Sequence, residues 1–135
     1  MTYLVAYLTT AVVFLAVDAV WLGVVARNFY AERLGGLMKA EPDLAIAAGF
    51  YAVYVVGIVI FAVAPALAQD AWRTALIKGA LFGFFAYATY DLTNLATLEG
   101  WPVSVSVVDV VWGTALTGAS ALSGFVLTKR LVGAG

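Results

Sequence analysis

The sequence predicts an all-α integral membrane protein, a four-helix bundle with spans at about 3–27, 44–68, 72–98 and 103–128. Three observations carry that reading. The 135 residues are 64% hydrophobic and 11% charged, with a mean hydropathy of +1.01, whereas soluble domains carry about 25% charged residues. A soluble fold of this length has too little polar surface to cover so many apolar side chains. Four apolar runs each reach the roughly 20 residues a helix needs to cross the hydrocarbon core. No linker or shift of composition divides them, so residues 1–135 read as one transmembrane domain.

The first run, YLVAYLTTAVVFLAVDAVWLGVVAR, is interrupted only by Asp18. It lacks a basic leading region and a small-residue cleavage site, which makes it a retained span rather than a signal peptide. The connection NFYAERLGGLMKAEPD (28–43) mixes charges with aromatic and aliphatic residues. That pattern suits a short interfacial helix ended by Gly35-Gly36, with a plain loop as the alternative. The second run carries Tyr51 and Tyr54 near its start and Pro65 near its end, where a kink is tolerated. Gln69-Asp70 leaves room only for a tight turn, so the second and third runs are antiparallel neighbours. Gly79 and Gly83 in the third run have the small-xxx-small spacing of close helix contacts. The fourth run is small-rich at Gly113, Thr117, Ser120 and Gly124 and ends in Lys129-Arg130.

Orientation follows from the basic residues near the spans. Arg73, Lys78, Lys129 and Arg130 lie on the side of both termini, against Arg27, Arg33 and Lys39 on the other. This excess predicts a multi-pass protein with both termini in the cytoplasm. Arg27 snorkels to the headgroups in this reading, the alternative being a cation at the mouth of a polar site that holds a phosphate or carboxylate headgroup. Trp72 and Trp101 sit in the aromatic belt.

Composition also excludes chemistry. A net charge of −1 gives no basis for binding nucleic acid. The absence of Cys and His rules out disulfides and thiolate catalysis, and leaves neither haem nor zinc expected.

Three acids interrupt the apolar runs, at Asp18, Asp91 and Asp109. By helical rise each falls within roughly 8–12 Å of the same membrane face, because runs one and three are parallel and run four starts where three ends. Asp18 and Trp21 share a helix face, as do Asp109 and Trp112. The strings VDAVWLG and VDVVWG resemble each other on antiparallel helices, either as a remote inverted repeat or as a chance match of short apolar strings. Tyr87, Asp91 and Asn94 form a stripe at i, i+4, i+7. Tyr51, Tyr54, Tyr90 and Ser106 complete a wall. Each acid taken singly reads as bundle glue, a protonated Asp bonding across a helix interface for roughly 0.6–2 kcal/mol. Three at one depth, with aromatics and an amide, favour a ligand- or proton-binding pocket, since ionisable groups inside membranes are functional candidates. Catalytic residues are not assigned. If a divalent cation is the cofactor, Asp18, Asp91 and Asp109 are its hard-oxygen ligands.

The string FAYATYDLTNLATLEGWP (85–102), with FLAVDAVWLG and VDVVWGTALTG, resembles a small bacterial inner-membrane family of unknown function marked by YDLTNLATL-x-GWP. The resemblance covers essentially the whole chain. It implies a four-helix membrane protein, brings no established activity, and singles out Asp18, Trp21, Asp91, Asn94, Pro102, Asp109 and Trp112. The family pattern often has Lys where this chain has Glu99.

Three functions fit these residues. The acid pocket binds or transports a small solute or lipid coupled to a proton or cation. Alternatively, Asp acid–base or Asp-bound metal chemistry modifies a membrane lipid. The third reading is an accessory subunit. Membrane lipid is the expected partner, and a homodimer is compatible with the small volume four short helices enclose.

Overall fold

The computed structural model describes residues 1–39 and 41–133, and all regular structure among them is helical. Helix α1 (Thr2–Val20) runs on through a π-helical turn at Trp21–Val25. A short α2 (Arg27–Leu34) and a 3₁₀ turn (Gly35–Leu37) follow. Helix α3 (Leu44–Ile58) continues through a second π-helical turn (Val59–Val63) into α4 (Ala64–Gln69). Two long helices complete the chain, α5 (Trp72–Thr97) and α6 (Val103–Val132).

Three segments are long and apolar enough to cross a membrane, namely Thr2–Val25, Leu44–Gln69 and Val103–Val132. The third predicted run forms α5, whose 26 residues also suffice in length. Lys78, Asp91 and Asn94 dilute its apolar character, and it is not among the three.

Local chemistry explains the boundaries. The first run stops two residues short of Arg27 because the backbone breaks at Ala26 (φ −109°, ψ 11°), from which α2 restarts. The connection is thus a short helix rather than a plain loop, and Gly35 ends it with a positive φ of 40°. Asp43 caps α3 by accepting from the Ile46 amide at 3.1 Å. Pro65 lacks an N–H and would clash with the carbonyl of Phe61, and the wider π turn that includes Phe61 accommodates it. Asp70 closes α4 in the left-handed conformation (φ 52°), which Asp tolerates better than most residues. Its tight turn makes α4 and α5 antiparallel neighbours, as the sequence predicts.

Helix α6 is the central element, with α5 along one side and α1 along another. Small residues bring these backbones together. A Cβ on Gly79 would lie 2.6 Å from that of Ala121, and one on Gly83 would collide with the Gly113 carbonyl and Thr117. On the α1 side, Gly124 sits directly against Thr10. Phe14, Ile58 and Leu116 are fully buried between the helices. The end bearing the termini is tied by Thr9–Thr128 (3.3 Å) and by an ion pair between Lys129 and Asp70. At the opposite end α2 folds back so that Tyr30 packs with Ala26 and Val105.

Candidate functional site

At that opposite end the helices enclose a cavity of about 450 Å³, within the range of small-molecule sites. Asp18 and Trp21 reach it from α1 and the turn that follows, and Asp109 and Trp112 reach it from α6. Tyr51 and Tyr54 come from α3, Tyr87 and Tyr90 from α5. The spacing of three between acid and indole is what places both side chains of each pair on one helix face.

The two acids are held by similar parts. The Asp18 carboxylate accepts from the Tyr51 hydroxyl at 2.7 Å and from Trp112 Nε1 at 3.1 Å. Asp109 accepts from the Tyr30 hydroxyl at 3.0 Å, and that hydroxyl in turn accepts from Trp21 Nε1 at 3.3 Å. Each indole therefore serves the acid of the other helix, directly in one case and through a phenol in the other. The two indoles stack face to face, 4.2 Å apart and 10° from parallel. Burial pushes the Tyr30 phenol above its ordinary range, and the neighbouring Asp109 carboxylate pushes it the same way. Tyr30 thus stays a proton donor to Asp109.

Asp91 stands apart from both. Its side chain is fully buried beside Asp109, and no donor serves either carboxyl oxygen. It lies behind the cavity wall rather than in the lining. Two ionised carboxylates have no hydrogen to share, so only an acid proton turns this contact into a hydrogen bond.

Two predicted residues fall elsewhere. Asn94 lies beyond the cavity, which ends at Tyr90 on α5. Ser106 is buried and structural: it accepts from Trp101 Nε1 at 3.1 Å and donates to the Asp91 carbonyl at 3.4 Å, pinning the Gly100–Pro102 turn against α5. Arg27 is exposed and outside the lining. Among the described residues no three carboxylates converge as a metal-ligand set, so Asp18, Asp91 and Asp109 do not form a single cage. Tyr30 and Phe50 line the cavity and were not singled out from the sequence. An aromatic residue in an amphipathic connection was the available signal for Tyr30.

Comparison with known proteins agrees with a membrane protein. A fluoride-specific ion channel of Paraburkholderia xenovorans (strain LB400) is 33% identical to this chain over 95 residues, covering 66% of this chain and 75% of the channel. No solved structure matches. A family model described as predicted membrane protein (DUF2177) matches residues 3–126. The chain therefore belongs to the DUF2177 family of predicted membrane proteins.

Proposed function

We propose that this protein binds a small solute in the cavity between Asp18 and Asp109 and couples binding to a proton shared by Asp109 and Asp91, as part of moving that solute across the bacterial inner membrane. The observation that carries the reading is Asp91: a fully buried carboxyl without a donor, set against a second carboxyl that faces the cavity. Burying an unpaired carboxylate costs several kcal/mol, and such a group neutralises instead. One proton between the two carboxyls removes that cost. A positive charge arriving at Asp109 takes over the proton's role, and the proton leaves through the cavity. The titratable groups facing the pair are Tyr30 of α2 and Tyr90 of α5, with Asp18 and Tyr51 across the cavity. Among the described residues no Lys or Arg lines it.

Similarity to an ion channel supports a transport class. Fluoride, the ion in that relative's name, is a poor match here, because two carboxylates and no cation line the cavity. Helix α5 is the fourth crossing in this reading, since it follows α6 through the bundle. Cytoplasmic termini would open the cavity toward the outer face of that membrane.

Infrared difference spectroscopy on the purified protein tests the proton. A protonated carboxylic acid band is expected at neutral pH, and Asp91→Asn removes it. A spectrum showing only ionised carboxylates at neutral pH would overturn the proposal.

A further inference from the structure

We infer that the solute is an organic ammonium ion carrying alkyl groups, either free or as the headgroup of a lipid. This rests on the cavity being a binding site but not on its proton. Three features of the lining point to that chemistry. First, its charge is unbalanced: Asp18 and Asp109 face a space that no Lys or Arg reaches among the described residues. The hydrogen bonds each acid receives come from uncharged phenols and indoles, so they orient the carboxylates without cancelling their charge.

Second, the donors near the acids are already used. Tyr51 and Trp112 donate to Asp18, Tyr30 to Asp109 and Trp21 to Tyr30. An anion or a sugar entering the cavity would find no cation, and little beyond the Tyr87 and Tyr90 hydroxyls to bond it. An alkylated ammonium needs no donor, because its methyl groups carry the positive charge against carboxylates and ring faces.

Third, eight of the twelve lining residues are aromatic. Ring faces attract a cation by roughly 0.5–2 kcal/mol each, more when water is excluded, and aromatic cages are a recurrent answer to quaternary ammonium groups. A metal ion gains little from such walls and requires several converging oxygens, which the acids do not provide. Two rim residues, Leu22 and Phe50, are 46% and 54% exposed on the outer surface of the bundle. The cavity mouth therefore borders the lipid side as well, and a headgroup can enter without leaving the membrane.

The test is equilibrium binding of radiolabelled choline to the full chain in phosphatidylglycerol nanodiscs. The competitors are unlabelled choline and its uncharged carbon isostere, 3,3-dimethylbutan-1-ol. Saturable choline binding is expected, with the isostere competing at least about tenfold more weakly, the discrimination expected of one desolvated cation–carboxylate contact. Asp18→Asn, which keeps one carbonyl oxygen for Trp112 Nε1 and turns an amide N–H toward the Tyr51 hydroxyl, which can accept it, but removes the charge, is expected to weaken choline by a similar factor. Repeating the measurement in phosphatidylcholine nanodiscs separates the sources. Suppressed binding there identifies the lipid headgroup as the occupant, and unchanged binding identifies the free ion.

Absence of saturable choline binding in phosphatidylglycerol, or equal competition by the isostere, overturns the inference whatever the variant does. The proton is read separately. Choline binding without an Asp91 acid band refutes the proton coupling alone, and an acid band without choline binding refutes the ammonium ligand alone.

Discussion

The two halves of α6 meet their neighbours in opposite ways. From Gly113 to Gly124 the helix presents small residues, and α5 and α1 close on it until a single added Cβ has no room at Gly79, Gly83 or Gly124. From Val105 to Trp112 it presents an acid and an indole, and the neighbouring helices supply bulky rings that hold a space open. The same seam is tight at one end and hollow at the other. Without a hydrophobic drive between helices in lipid, close packing has to provide the association. The small-residue half provides it, which leaves the aromatic half free to carry charge.

The largest effect expected from breaking this contrast is at the tight end. Gly83→Leu would drive four heavy atoms into the Gly113 carbonyl and Thr117, where neither backbone can give way. Overpacking of that kind costs typically 1–3 kcal/mol and occasionally more. Thermal unfolding in detergent should show a strong loss of stability or of folded yield. Gly23→Ala is the control, because nothing lies within 4 Å of a Cβ there.

At the hollow end the two indoles should separate. Trp112→Phe keeps the stacked ring but removes a donor from the buried Asp18 carboxylate, a charged hydrogen bond worth roughly 1.5–3 kcal/mol. Trp21→Phe removes a longer bond to a neutral phenol, worth roughly 0.5–1.5 kcal/mol. The ordering of the two unfolding midpoints checks the asymmetry, and equal losses would show that stacking alone sets both. Asp91→Leu runs the other way. It removes a buried carboxyl together with the proton it shares with Asp109, while Asp109 keeps the Tyr30 hydroxyl, so the same unfolding measurement should find stability unchanged or raised by no more than about 1 kcal/mol.

Much of this contrast was legible in the sequence, for physical reasons that differ by residue. Asp18 with Trp21, and Asp109 with Trp112, were found because a spacing of three fixes a shared helix face whatever the tertiary structure. The small-xxx-small residues announced the tight seam in the same way. Asn94 and Ser106 lie outside the cavity lining, since periodicity gives a face but not a depth. Asn94 shares the stripe of Tyr87 yet lies beyond the last cavity residue of α5, and Ser106 shares the Asp109 face yet is engaged by Trp101 and the Asp91 carbonyl. Tyr30 reaches Asp109 only because the chain breaks at Ala26 and α2 folds back, and no residue there signals such a break. Phe50 enters the lining only once α3 is rotated against α1, which no local pattern specifies.

The smallest expected effect lies at the tight end's outer edge, where a charge pair replaces small-residue packing. Lys129 pairs with Asp70, yet 70% of the Asp70 side chain and 30% of the Lys129 side chain remain exposed. Exposed pairs contribute about 0–1 kcal/mol, reduced further by salt. Lys129→Ala should therefore move the unfolding midpoint little, and raising the salt concentration should erase what difference exists. The turn itself does not depend on the pair: α4 is closed by backbone bonds from Ala71 to Ala66 and from Asp70 to Leu67. A large salt-sensitive loss in Lys129→Ala would mean that charge, rather than the glycine seam, holds this end of the bundle together.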